Sequence, residues 1–214
     1  MKVLVVGANG QIGQHLIHLL KGSDTHSARA MVRKEEQVEK FKDMGVEAVL
    51  ADLEGSVDDI VNAAEGCDAI VFAAGSGGNT GADKTILIDL DGAAKTIEAA
   101  EQAGVERFIM VSSMLSNDRD KWGDSMSYYM AAKHHADKIL ERTDLNYTII
   151  RPGMLNNEAG TGNVEIAEAL DIADIPREDI AQTIYYALGM ENTFKRSFDV
   201  VGGATSIKDA LGEI

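Results

Sequence analysis

The 214-residue sequence predicts an α/β fold, a doubly wound parallel sheet with helices on both faces and a small C-terminal cap. Three observations predict it. Short, near-continuous apolar runs alternate with longer amphipathic stretches from the first residue to about position 150, the pattern of strands buried on both faces and joined by helical crossovers. The first apolar run opens directly into a glycine-spaced turn, GANGQIG, at the head of the first helical stretch. Past Pro152 the alternation gives way to a Gly- and Asn-rich stretch, and the roughly sixty residues that remain are too few for a large independent core.

Taken in order, the strand candidates are KVLVV (2–6), ARAMV (28–32), VEAVL (46–50), AIVFAA (69–74), RFIMVSS (107–113) and YTIIR (147–151). Helices are expected between them at 11–21, 34–44, 56–65, 83–103 and 126–142, the third opened by the Ser-x-x-Asp capping signature SVDD (56–59). GMLNNEAGTGN (153–163) reads as a loop. Helices at 164–171 and 177–190, a strand SFDVV (197–201) and a helix at 206–212 complete the chain. Residues 1–214 thus read as one domain, in which 153–214 form a cap that completes one side of the sheet and walls a small pocket.

Gly7, Gly10 and Gly13 sit where a Rossmann-type turn needs them. One makes the tight turn, one lets backbone approach a pyrophosphate, and one lets helix and strand pack closely. The helix N-terminus, with Asn9, Gln11 and Ile12 around it, offers free N–H groups and a partial positive charge to phosphates. About twenty residues further on, where an acidic residue would hold the ribose 2′-hydroxyl of NAD, stand Arg33 and Lys34. A guanidinium matches a phosphate in charge and fork geometry, so NADP(H) is expected over NAD(H). Asp52 and Leu53, at the end of the third strand, and Ala73, Ala74 and Gly75, at the end of the fourth, are further cofactor candidates: a carboxylate for the adenine amino group, and small residues that let backbone run close to a ribose.

Composition excludes several classes. Thirty-five acidic against 20 basic residues give a net charge of −15, which repels nucleic-acid phosphates and anionic membranes. No apolar run approaches the span a membrane helix needs. The single cysteine, Cys67, excludes an internal disulfide and fits a reducing compartment, so a cytoplasmic protein is expected. His15 and His18 share a helix face with no third ligand near in sequence, and the adjacent His134 and His135 point apart, so no metal site is expected. Ser112 has no Gly-x-Ser-x-Gly elbow around it.

SYYMAAKHHADKIL (127–140) holds Tyr129 and Lys133 four apart, on one face of the expected fifth helix. With this pair, the chain resembles the short-chain dehydrogenase/reductase superfamily over nearly its whole length. It is most similar to small atypical members of the NAD(P)H-binding, NmrA-like and epimerase/dehydratase-like kind. The motifs are GANGQIG, DLEG, AAG, RFIMVSS, YMAAK and IIRPG, with IPREDIAQTI (175–184) following. The resemblance implies that Tyr129 exchanges a proton with substrate while hydride moves to or from nicotinamide. It further implies that Lys133 favours the phenolate and bonds the nicotinamide ribose, and that Ser113 holds the substrate oxygen. Val111 and Ser112, with Pro152, Gly153 and Met154, would run past the nicotinamide. Two positions depart from the pattern: Met114 stands where extended members place a Ser or Thr after a Ser-Ser pair, and Asp89 stands for the usual asparagine of the fourth helix. The expectation is an NADP(H)-dependent oxidoreductase or a related epimerase/dehydratase-type enzyme acting on a small molecule, a monomer or small homo-oligomer. A non-catalytic NADP(H) sensor is the alternative.

Overall fold

A computed structural model describes residues 1–78 and 80–214. Seven strands form its parallel core: β1 (Lys2–Val6), β2 (Ser27–Val32), β3 (Glu47–Leu50), β4 (Ala69–Phe72), β5 (Arg107–Val111), β6 (Asn146–Pro152) and β10 (Arg196–Gly202). Two short strands, β8 (Asn163–Ala167) and β11 (Thr205–Ser206), extend it antiparallel. The order across the sheet is β11-β8-β10-β6-β5-β4-β1-β2-β3, with β7 (Met154–Asn156) and β9 (Asp174–Pro176) paired as a separate parallel ribbon.

The strands bury both faces by simple alternation. Val3 and Val5 of β1 enter one core while Leu4 and Val6 enter the other. Helices α1 (Gln11–Lys21) and α2 (Glu35–Asp43) cover the first face together with α7 (Arg177–Ala187) and α8 (Ile207–Gly212), whose Ile180, Ile184, Ile207 and Leu211 join that core. On the second face lie α3 (Val57–Ala64), α5 (Ala93–Ala103) and α6 (Ser127–Leu140), with Ile60, Ile97 and Leu140 turned inward. Strand order reverses between β1 and β4, and the crevice at that reversal, outside the carboxyl ends of the strands, is where α/β sheets bind ligands.

Two expectations are corrected. The helix expected over 164–171 is strand β8 instead. β10 lies beside β6 with its outer edge unpaired, and 163–167 satisfies those backbone groups, so pairing overrides the helical preference of its Glu and Ala residues. Residues 153–163, expected as a loop, begin with β7, which pairs with β9. The helix expected over 83–103 is continuous but not uniform. A short α4 (Ala82–Lys84) runs into a π-helical segment, Thr85–Gly92, before α5 begins. Such wide turns concentrate at functional sites, and this one carries Asp89. No helix among the described residues is long and apolar enough to cross a membrane.

Candidate functional site

Gly7 and Gly13 make the turn after β1 sterically possible. Gly7 has φ +86°, and a Cβ there would lie 2.6 Å from the Ala74 backbone nitrogen. At Gly13 a Cβ would collide with the Gly7 carbonyl and the Ala8 backbone. The Gly10 N–H closes the turn on the Gly7 carbonyl at 2.9 Å. No side chain caps α1 and no acidic residue lies in its first turn, so the N-terminal amides remain available to an anion. These features fit a pyrophosphate.

The turn opens into a cleft of about 290 Å³. Gly7, Asn9, Gly10, Arg33, Asp52, Leu53, Ala73, Ala74 and Gly75 line it, nine of the residues singled out in the sequence. Val6, Met31, Val32, Gln37, Ala51 and Ile88 line it as well and were not foreseen. Gln37 was reachable, since it lies one turn past Arg33 and its Oε1 accepts the Arg33 N–H at 3.3 Å. Ile88 was not; it lies on the π-helical segment, where the sequence predicts one uniform helix. Lys34 does not line the cleft and instead lies 3.4 Å from Glu36 at the surface. Gln11, Ile12 and Gly13 belong to α1 beneath the turn. Lys40 of α2 reaches across to Asn9 Oδ1 at 3.0 Å and Gln14 Oε1 at 3.1 Å, bracing the turn from outside.

The second group surrounds Lys133, which is 2% exposed. Its Nζ donates to the Val111 carbonyl at 2.9 Å and lies 3.9 Å from Asp89 Oδ1. Asp89 is itself buried, and its Oδ2 accepts the Ser76 N–H at 3.0 Å. A carboxylate at the place of the usual asparagine thus ties the segment after β4 to the lysine. Tyr129 lies one turn before Lys133 on α6, half-buried, while its neighbour Tyr128 faces solvent.

Ser112 and Ser113 part company at the end of β5. The Ser112 N–H donates to the Ile150 carbonyl at 2.8 Å, and its buried hydroxyl lies 3.4 Å from that of Ser116. Ser113 is half-buried, with one long hydroxyl bond, 3.4 Å to the Met114 carbonyl. Met114 is buried and its N–H donates to the Pro152 carbonyl at 3.1 Å, so the hydroxyl left for a ligand is that of Ser113. Beyond Pro152 the Gly153 N–H bonds the Val200 carbonyl, and Met154 is 58% exposed. Leu115 adopts φ +68°, a strained value for a branched residue. Its carbonyl accepts from the Trp122 indole at 2.9 Å, and His134 Nδ1 lies 2.8 Å from the Ser116 carbonyl, so the loop after Ser113 is pinned to α6. Among the described residues no group of three or more His, Cys, Asp or Glu is placed to hold a metal ion.

Comparison with known proteins gives a consistent outcome. The family model described as NAD(P)H-binding matches residues 7–191. The uncharacterized sugar epimerase YhfK of Bacillus subtilis is 55% identical over 214 residues, covering 100% of each chain. A Bacillus halodurans structure designated an NAD-dependent epimerase/dehydratase is 44% identical with a TM-score of 0.94, again over 100% of both chains. The oxidoreductase ylbE of Lactococcus lactis is 35% identical with a TM-score of 0.91, covering 100% of this chain and 96% of that one.

Proposed function

Because this chain belongs to the NAD(P)H-binding family, within a group of oxidoreductase- and epimerase-like proteins, we propose that it is an enzyme that uses NADP(H) in preference to NAD(H) to oxidise, reduce or epimerise a small hydroxyl or carbonyl compound. The observation that carries the reading is the pairing of two built features. One is the glycine cradle with its uncapped helix; the other is the buried Lys133 one turn from Tyr129, beside the end of β5.

When bound, the nicotinamide supplies or accepts hydride. Tyr129 gives a proton to the substrate oxygen or takes one from it, and Ser113 donates a hydrogen bond to that oxygen. Lys133, bonded to the Val111 carbonyl and 3.9 Å from Asp89, would place a cation near the phenol and would be the residue to hydrogen-bond the ribose of a bound cofactor. Arg33 at the mouth of the cleft supports the choice of NADP(H), since it would pair with a 2′-phosphate.

Titration with NADPH, NADP+, NADH and NAD+ tests the cofactor choice. Both phosphorylated forms should bind at least about tenfold more tightly. Arg33→Ala should remove that difference by weakening NADPH and leaving NADH unchanged; equal losses for both would reject Arg33 as the selector. Tyr129→Phe should keep NADPH affinity and lose about 10²-fold or more of turnover. Selective binding of the oxidised form, with no turnover on any carbonyl compound, would favour a sensor instead.

A further inference from the structure

Tyr129, Lys133 and Asp137 follow one another at four-residue intervals on α6 and form one stripe on its inner face. The reaction proposed above uses the first two. Asp137 is 2% exposed and lies below them. Its Oδ2 accepts the Ser116 hydroxyl at 3.1 Å and Arg151 Nε at 3.1 Å, whereas Oδ1 has no hydrogen-bond partner among the described residues. The Ser116 hydroxyl lies 3.4 Å from that of Ser112, at the end of β5. Arg151 directly precedes Pro152 at the end of β6. One carboxylate on the helix of Tyr129 therefore touches the strand that leads to Gly153 and, through the Ser116 hydroxyl, reaches the strand end before Ser113.

We propose that Asp137 is the positioning residue of this site, holding the ends of β5 and β6 against the helix face that carries Tyr129 and Lys133. The inference rests on the reading of Tyr129 and Lys133 as the reaction centre. Its physical ground is the cost of the arrangement. Apolar residues of similar volume replace many buried ion pairs without loss of stability, and this pair leaves a buried acceptor unsatisfied as well. What the polar network adds is direction, since each of its bonds fixes one segment that borders the site. The charged groups facing Asp137 are Lys133 and Arg151. Beyond Arg151 stands Glu141 at 3.7 Å, and Asp199 of β10 lies in the field of the same guanidinium. Asp89 stands on the other side of Lys133. Burial pushes the Asp137 carboxyl up, against the pull of Arg151 and of Lys133.

The test needs no substrate. In ¹⁵N-labelled protein the Ser112 and Ser113 amide resonances should titrate together with the Asp137 carboxyl, above the ordinary carboxylate range, and Asp137→Asn should abolish that titration. In the same variant NADPH should bind within about threefold of wild type, while turnover on any carbonyl compound the wild type reduces should fall at least about tenfold with KM little changed. Amides that ignore pH, or that titrate identically in Asp137→Asn, would overturn the proposal, as would wild-type turnover in that variant. Should Asp137→Asn fail to fold, Ser116→Ala cuts the same link and spares the Arg151 pair. It should silence Ser112 and Ser113 while the Asp137 carboxyl still titrates, and persistence of their titration would overturn the idea. A wild type with no turnover would refute the reaction assigned to Tyr129, and the amide titration alone would then decide the role of Asp137.

Discussion

Lys133 is the residue at which the halves of the site meet. Burying an ammonium is costly unless donors find acceptors, and here the acceptors come from two separate elements: the Val111 carbonyl of β5, and Asp89 of the π-helical segment, which grips the segment after β4 through Ser76. Asp89 lacks the amide N–H of the asparagine usual at this position. In the folded chain that position needs only acceptors, one for Ser76 and one facing the lysine, and a carboxylate provides both. Asp199 is a buried acid of another kind. It accepts the Leu170 N–H at 3.2 Å, and its other oxygen has no hydrogen-bond partner among the described residues. Burial raises its pKa, opposed by that N–H and by Arg151. The native state then binds this proton more tightly than the unfolded chain, so the residue's contribution to stability falls as pH rises from the ordinary carboxylate pKa through the raised one. Asp199→Asn should therefore gain on wild type as pH increases, and urea midpoints at pH 4 and pH 7 should show a larger advantage for the variant at pH 7. An advantage that shrinks with pH would contradict this account.

At the scale of elements, legibility follows how local the cause is. β1 and α1 match their expected bounds, because hydrophobic alternation and the glycine turn are written within a few residues. β8 was misread because its cause lies thirty or more residues away, in the open edge of β10. In the site, the nine foreseen cleft residues sit at strand ends or in the turn, whereas Ile88 depends on a π-helical segment with no local signature. The Asp137 link was invisible for the same reason, since Ser116 and Arg151 reach it only through the packing of β5, β6 and α6. Arg107 shows the same principle at the opposite end of the sheet. Buried at the start of β5, it donates to the carbonyls of Ala187 and Leu188 at the end of α7 and of Asn146 at the start of β6, at 2.6, 3.3 and 2.7 Å. It stacks 4.6 Å from the Phe194 ring. A cation at a helix C-terminus opposes the dipole's negative end. Arg107→Met would strand these carbonyls, and we expect a loss of about 3 kcal/mol or more in urea unfolding, with the slope unchanged. A loss under about 1 kcal/mol would show that water replaces the guanidinium.

For the whole molecule, the cleft beside the glycine turn joins distant parts of the chain, so its occupancy by the proposed cofactor should be felt as global stability. At a hundredfold excess over its Kd, NADPH should stabilise the fold by about 2.7 kcal/mol, a rise of roughly 5–10 °C in Tm for a chain of this size. NADH at the same concentration should give a smaller rise, and Arg33→Ala should erase the difference. The net charge of −15 need not oppose such binding locally, because Arg33 and the N-terminus of α1 border the cleft.

The position of β6 between β5 and β10 has a consequence for synthesis on the ribosome. β6 ends at Pro152 and β10 begins at Arg196, so Ile149 and Ile150 emerge well before the strand that closes their outer edge. Through that interval the nascent chain presents an apolar, unpaired strand edge, the surface that recruits other strands. A chain released between residues 152 and 196 keeps the whole glycine turn and the Tyr129–Lys133 pair but leaves β6 open. Such a fragment should aggregate at the edge where the intact protein places β10, and holdase chaperones should compete for it.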